Sequence, residues 1–168
     1  MHIFLLTIWK KAILRLKMAV LPIVTGERTP ILRAKTKPVS KVTKDVVTLI
    51  RDMEETTRAA KGAGLAAPQV NRSERVCIAM ISKKLVPLVN PEITWRSRER
   101  ETAEEGCLSL PDIWIQVPRA AEIIIQFLSA AGRQRELKLS GFDARVVQHE
   151  VDHLEGILIT DHKRENIL

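Results

Sequence analysis

The sequence predicts a single α+β domain in which two helices flank a region of short antiparallel strands. Its 168 residues suffice for one domain with a hydrophobic core but are few for two. Apolar residues recur at helical spacing in two segments, and short runs rich in β-branched residues lie between them. The order helix, strands, helix is typical of α+β proteins rather than of alternating βαβ units.

Residues 1–17 differ in composition from the rest of the chain. They hold four Lys or Arg residues and no acidic residue, and their apolar block precedes these charges. A secretory signal has the opposite order. Three interpretations remain: a translated leader upstream of a start at Met18, an amphipathic surface helix, or an organelle-targeting peptide. We favour the first and expect the catalytic domain to span residues 18–168.

The first helix is predicted between Ser40, as N-cap, and Gly62, as terminator. The segment before it is rich in Pro and Thr, and we expect it to be an extended arm with turns and no helix. The apolar positions at helical spacing are Val42, Val46, Leu49, Ile50 and Met53.

Residues 63–139 are predicted to form strands, including VCIAMI, PLVNP, IWIQV and AEIIIQFLS, with an antiparallel hairpin around Gly132. A second helix is expected to begin at Ser140, with Asp143 completing a capping box. Gly156 is expected to end this helix in a left-handed conformation. The ILIT segment that follows could form a further strand.

The most specific chemical signal is the segment HEVDH at residues 149–153. Its two histidines lie one turn apart on the same helix face, so that both rings can reach one metal ion, and Glu150 lies beside them. The alternative is a surface helix with incidental histidines. We disfavour it because apolar Phe142, Val146 and Ile157 flank the same stripe, which indicates that this face points inward, where unpaired ionisable groups are costly.

Two histidines need a further ligand, and Cys107 in EGCLSLP is the candidate, placed in a loop between strands. Taken alone, a cysteine between Gly and Leu is more often a small buried apolar residue, and Cys77 fits that description. A third segment, GAGLAAPQ at residues 62–69, is rich in small residues that allow a close backbone approach. Alone it would indicate only a helix C-cap and a tight turn.

Together the three segments resemble the motifs of the peptide deformylase family. That family is marked by GxGLAAxQ, EGCLSxP and QHExDHLxG, which stand here as GAGLAAPQ, EGCLSLP and QHEVDHLEG, in the same order and at similar spacing. The resemblance covers roughly residues 18–160. It implies short antiparallel sheets packed around the helix that carries HExxH. It also implies a metal-dependent hydrolase that removes the formyl group from the N-terminal formyl-methionine of nascent polypeptides and releases formate.

The resemblance also assigns roles to individual residues. The implied ligands of one divalent metal ion, with water at the fourth position, are Cys107, His149 and His153. Glu150 would take the proton of the attacking water and pass it to the leaving amine. The side-chain amide of Gln69 and the backbone N–H of Leu108 would stabilise the oxyanion.

Family substrates bind as an added extended strand, with the methionine side chain in an apolar pocket. The matching substrate-binding positions are Gly62, Ala63, Gly64, Gly106, Phe142, Arg145 and Val146. Arg145 is expected to contribute its aliphatic stem rather than its charge. Glu105 and Arg119 match an acidic–basic pair that braces the cysteine segment. Gln148 and Asp152 are candidates for holding the histidine rings.

A mixed thiolate and imidazole set accepts Fe²⁺, Zn²⁺, Ni²⁺ or Co²⁺, and the family resemblance favours ferrous iron in cells. The expected partners are N-formyl-methionyl peptides and nascent chains, with only weak ribosome association. The net charge is +7, of which residues 1–17 supply +4, so 7 − 4 leaves +3 for the rest. We therefore expect no stable nucleic-acid binding, and no long apolar run predicts a membrane span. A cytoplasmic location is expected.

Two other functions would also use these motifs. A zinc endopeptidase of the HExxH type is disfavoured because such proteases usually recruit His or Glu as third ligand, and because Gln69 has no role there. A non-catalytic binding module stabilised by a metal is the other alternative. The substitution Glu150→Gln separates it from an enzyme, since a binding module has no activity to lose.

Overall fold

A computed structural model describes residues 19–162 of the chain. The interpretations given to residues 1–17, and the start at Met18, concern residues outside this range. The α-helices are α1 (Pro30–Arg33), α2 (Lys44–Ala59) and α3 (Gly141–Leu154). The strands are β1 (Gly64–Ala66), β2 (Val76–Ile81), β3 (Lys84–Arg96), β4 (Arg100–Cys107), β5 (Leu110–Ala120), β6 (Glu122–Leu128) and β7 (Gln134–Ser140). None of these three helices has the length and apolar character needed to cross a membrane.

The strands form two antiparallel sheets, so the predicted α+β class is confirmed. The larger sheet has the order β1-β2-β3-β6-β7, and β4 pairs with β5 in a separate two-stranded hairpin. Strand β1 lies at an edge of the larger sheet, with Leu65 opposite Ile78 of β2. The predicted hairpin around Gly132 joins β6 and β7.

Strand β2 lies between the two long helices, which explains its continuous apolar sequence. Cys77 and Ala79 pack with Val147 and Leu154 of α3 in one core cluster. The alternate residues of β2, Val76 and Ile78, belong to a second cluster on the other face, and its residues from α2 are Val46, Leu49, Ile50 and Met53. Because both faces of β2 are buried, the strand has no polar alternation.

Helix α2 forms where predicted, but its ends differ by a few residues. Thr43, rather than Ser40, is the N-cap, and its hydroxyl accepts a hydrogen bond from Val46 N at 3.4 Å. After the helix, Lys61 adopts the left-handed conformation with φ of 54°, one residue before Gly62, the predicted terminator. Gly62 N donates to Thr57 O at 3.0 Å, which closes the last turn.

The N-terminal arm is extended, as predicted, except for the single turn of α1. Pro30 is at the start of this turn, where its missing N–H costs nothing, and the fully buried Leu32 anchors it to the core. The arm also reaches the other motifs: Val24 N donates to Gln69 O at 2.8 Å, and Gly26 N donates to Ser109 O at 3.0 Å.

Ser140 is the N-cap of helix α3 as predicted, but the predicted capping box is wrong. Ser140 makes no side-chain cap bond, and the Asp143 carboxylate instead accepts a hydrogen bond from Ser82 N at 2.8 Å. The predicted strand after Gly156 is also wrong, since residues 159–162 form a 3-10 turn. Leu158 and Ile159 are buried in a third apolar cluster with Ile115 and Val117 of β5.

The stability of the α3 terminus is predicted to depend on Gly156. Its φ of 76° is left-handed, and a Cβ there would lie 2.7 Å from the carbonyl carbon of Arg33. We expect Gly156→Ala to lower the free energy of unfolding in urea by about 2–4 kcal/mol. Gly132→Ala is the matched control, because its φ is 71° but its Cβ would have no neighbour closer than 3.9 Å. It should cost only about 1–2 kcal/mol, and equal losses would contradict the role of the Arg33 carbonyl.

Candidate metal centre

The structure brings Cys107, His149 and His153 together. One potential ligand atom from each residue lies within 4.8 Å of the other two, and Cys107 Sγ is 3.2 Å from His153 Nε2. Ordinary metal–sulfur and metal–nitrogen bonds at a tetrahedral angle place S and N about 3.6 Å apart. The two histidines come from α3. The prediction that Cys107 lies in a loop is wrong, because Cys107 is the last residue of β4. The three side chains therefore fit one ion.

Glu105 fixes the orientation of the first histidine. Its carboxylate Oε2 is 3.0 Å from His149 Nδ1, which leaves Nε2 of that ring for a metal. Arg119 donates two hydrogen bonds of 3.0 Å to the same carboxylate, and Arg145 Nη1 donates to it at 2.8 Å. Buried Glu105 is thus surrounded by donors from β5 and α3. The predicted Glu105–Arg119 pair forms, and the carboxylate also holds a ring.

Two sequence-based expectations about supporting residues are corrected. Gln148 accepts from Ala120 N at 3.1 Å and donates to Ala120 O at 3.0 Å, so it holds β5 and not a histidine ring. Asp152 accepts from Arg119 and lies 2.9 Å from His162 Nε2, again without a bond to either ligand ring. The guanidinium of Arg145 is paired with Glu105, which agrees with the expectation that only its aliphatic stem is available to a substrate.

Glu150 lies buried beside the ligands with one oxygen free of partners. Among the described residues, no hydrogen-bonding group contacts its Oε2. Burial raises the pKa of this carboxyl to about 7, and a divalent ion nearby would oppose that shift. On the other side the carboxyl packs against Gly64, where a Cβ would lie 2.6 Å from Glu150 Cδ. A glycine is therefore required for β1 to pass this close.

Gln69 is fixed by hydrogen bonds at both ends of its amide. Its Oε1 accepts from Ala66 N at 2.8 Å, within the 3-10 turn that follows β1. Its Nε2 donates to Ser109 Oγ at 3.1 Å and lies 3.6 Å from Cys107 Sγ. The amide N–H therefore points at the thiol. Ser109 was not identified from the sequence, although it lies two residues after Cys107 inside the same motif.

The electrostatics of this cluster favour a cation. Burial alone would lower the pKa of His149, but hydrogen bonds to Cys107 and Glu105 raise it to about 10. The pKa of His153 is lowered well below its usual range by burial and by the neighbouring charge of His149. Without a metal, the surroundings of His149 thus stabilise a positive charge on its ring. The same surroundings would favour a bound divalent cation.

A pocket of about 460 Å³ opens in front of these residues. Lys61, Gly62, Ala63 and Gly64 line it from one direction, while Gly106, Cys107 and Leu108 line it from the β4–β5 hairpin. Val146 of α3 also lines it and is buried as predicted. The expectation of an inward-facing apolar stripe is wrong for Phe142, which is 59% exposed at the pocket, and for Ile157, which is 37% exposed.

A thiolate and two imidazoles beside a buried carboxylate, with an open pocket in front, form a centre of the kind found in mononuclear metal hydrolases. The fold and the motif order define the class further. The sequence profile described as polypeptide deformylase matches residues 20–166. The chain therefore belongs to the peptide deformylase family, the enzymes that remove the formyl group from N-terminal methionine.

Individual relatives agree with this assignment. The peptide deformylase of Dictyoglomus thermophilum is 45% identical over 139 residues, which is 83% of this chain and 90% of the relative. The crystal structure of the Thermotoga maritima peptide deformylase superposes with a TM-score of 0.82 at 40% identity, covering 85% of this chain and 97% of that one. A Met-Ala-Ser-bound peptide deformylase from Acinetobacter baumannii gives a TM-score of 0.82 at 38% identity, covering 86% and 99%.

Metal affinity is predicted to depend on Glu105. We expect Glu105→Gln to weaken metal binding by about 10- to 100-fold, because the charge that orients and polarises His149 is lost. Competition of Co²⁺-loaded protein with a chelator measures this affinity. Glu104→Gln is the control, since that neighbouring side chain is exposed and outside the cluster. Unchanged affinity in folded Glu105→Gln would contradict the role of this carboxylate.

Gly64→Ala is predicted to reduce activity while leaving the fold and the metal in place. The added methyl group occupies the space of the Glu150 carboxyl, which must swing away from its present position. We expect formate release to fall by at least about tenfold. Circular dichroism and metal content test that folding and metal loading are retained. Activity equal to that of the wild type would show that the precise placement of Glu150 is unimportant.

Proposed function

We propose that the chain hydrolyses the N-formyl group of formyl-methionyl nascent polypeptides at a metal ion held by Cys107, His149 and His153. The observation that carries the proposal is the convergence of these three ligand atoms beside the buried carboxyl of Glu150. A bound divalent ion would lower the pKa of water and polarise the formyl carbonyl. The products are formate and a free amino group, since the C–N bond of the formamide is broken.

Glu150 is the proposed general base and acid. Its unpartnered Oε2 is available to take a proton from the attacking water and to pass it to the nitrogen of the leaving methionine. Burial keeps bulk water away from this carboxyl and raises its affinity for the proton. The same oxygen can therefore serve in both directions of proton transfer within one turnover.

The amide of Gln69 and the backbone N–H of Leu108 are the proposed oxyanion donors. The support for Gln69 is its fixed amide, whose Nε2 lies 3.6 Å from Cys107 Sγ and donates to Ser109 Oγ, while its Oε1 accepts from Ala66 N. Leu108 directly follows Cys107 and lines the same pocket. Donors that are already fixed need no reorganisation as negative charge develops, which is why they lower the barrier.

The substrate is proposed to bind as an extended strand along β1. This strand is at the edge of the larger sheet and beside the pocket, which suits the addition of a peptide strand. Gly62, Gly64 and Gly106 line the same pocket. The methionine side chain is then proposed to enter the apolar part of the pocket beside Ala63, Phe142, Val146 and the stem of Arg145.

Ferrous iron is the proposed metal in cells, with Zn²⁺, Ni²⁺ or Co²⁺ able to replace it, because a mixed sulfur and nitrogen set accepts all four. We also propose that the enzyme works in the cytoplasm, where formylated chains emerge, and that its contact with the ribosome is weak. The catalytic domain is proposed to span residues 18–168, with residues 1–17 as an extension.

Glu150→Gln is predicted to keep the metal and lose at least about a hundredfold in turnover, because the amide cannot carry the proton. Formate release from formyl-Met-Ala-Ser by anaerobically loaded protein measures the loss, with a metal count on the same sample. Cleavage inside an acetylated or extended peptide, without deformylation, would favour an endopeptidase. Metal-loaded wild-type protein with no activity on any of these peptides would instead indicate a binding module.

A further inference from the structure

We propose that the outer edge of the pocket selects nascent chains with a Lys or Arg one or two residues after the methionine. The residues that would contact this side chain are Trp114, Glu104 and Asp112, and we call them the acidic rim. The inference rests on the proposed function, because it concerns the substrate of the same site. It concerns the part of the peptide beyond the formyl-methionine.

Trp114 is a fixed aromatic surface at the mouth of the pocket. It is 64% exposed, although a side chain of this size usually gains stability from burial. It lies directly opposite Gly106 in the β4–β5 hairpin, and atoms of its six-membered ring approach within 2.8 Å of the position that a Cβ of Gly106 would take. One side of the indole therefore packs against the backbone next to Cys107, while much of its surface faces the pocket mouth.

A second tryptophan, Trp95, has a basic side chain of the same protein over its exposed ring. Trp95 is 44% exposed, and Lys138 Nζ lies 5.9 Å from the centre of its ring. That ammonium also pairs with Glu122 at 2.7 Å, so an aromatic ring, a cation and a carboxylate are stacked together. Around Trp114, no cation of residues 19–162 lies over the ring.

The pocket mouth also holds carboxylates, which correspond to Glu122 in the arrangement at Trp95. Glu104 and Asp112 line the pocket, are exposed, and make no ion pair within the part of the chain that the structure describes. Lys61 is the one lining cation of that part without a carboxylate partner, since Arg145 is paired with Glu105. Two acids against one base leave the mouth negative.

A basic side chain of the substrate would complete the arrangement seen at Trp95. Its aliphatic stem would pack on the indole and on exposed Phe142, and its charged end would reach the carboxylates of the acidic rim. Trp114 lies opposite the residue that precedes the proposed ligand Cys107. The selected position is therefore close to the formyl group, one or two residues after the methionine.

The test compares Lys with norleucine, which has the same stem without the charge. The peptides are formyl-Met-Ala-X and formyl-Met-X-Ala, both amidated at the C-terminus and assayed at low ionic strength with Co²⁺-loaded protein. We expect kcat/KM for Lys to exceed that for norleucine about three- to tenfold at one of the two positions, mainly through KM. Trp114→Leu, which still covers Gly106, should bring the ratio close to one. Trp95→Leu is the matched control and should leave the ratio unchanged.

A second pair of changes tests the charges independently of the ring. The double variant Glu104→Gln, Asp112→Asn should also reduce the preference, and added salt should weaken it in the wild type. A wild-type ratio of one or less at both positions, stronger preference for Phe than for Lys, or a ratio that persists in folded Trp114→Leu would overturn the inference. Absence of formate release from every peptide would instead reject the proposed function and the inference with it.

Discussion

The carboxylate of Glu105 connects the two parts of the structure on which the metal centre depends. It lies buried between the β4–β5 hairpin and α3, where an unpaired charge would be strongly destabilising. Burial alone would raise its pKa, but hydrogen bonds from His149 and Arg119 hold that pKa well below its usual range. Because Cys107 follows two residues later on the same strand, these bonds also set the distance between the thiol and the histidine rings. Arg119 extends the network to Asp152, which adds a further link between the hairpin and α3.

The glycines of the motifs are explained by what lies where their side chains would be. At Gly64 the space is taken by Glu150, at Gly106 by the ring of Trp114, and at Gly62 by Leu108. The contacts of Gly64 and Gly62 join segments that are distant in sequence, that of Gly106 crosses the β4–β5 hairpin, and each includes a residue at the pocket. The small residues thus allow three chain segments to converge closely enough for a shared site, which is a requirement of packing rather than of backbone flexibility.

The features that the sequence predicts well are those encoded by local patterns. Helical spacing identifies α2 and α3, the continuous apolar run identifies β2, and Gly132 marks the hairpin. Features that depend on distant partners were missed or misplaced. The Asp143 carboxylate does not form the expected capping box, because it accepts a hydrogen bond from Ser82 N, 61 residues away in sequence. Glu105 likewise bonds His149, which lies 44 residues further along the chain. Gln148 is adjacent to a ligand along the chain yet bonds the backbone of β5. The family motifs name the site residues, but no local pattern tells which side chain supports which.

The N-terminal arm helps to hold the residues of the site in place. Val24 N and Gly26 N bond the carbonyls of Gln69 and Ser109, and these two residues also bond each other through their side chains. The arm therefore connects the turn that contains Gln69 with the turn that contains Ser109, and no strand pairing joins these two turns among residues 19–162. Proteolytic removal of the chain through residue 24 would break the bond from Val24 N and loosen the anchor of the Gln69 amide, although none of residues 19–24 lines the pocket. The fixed position of the Gln69 amide thus depends on an intact N-terminal arm.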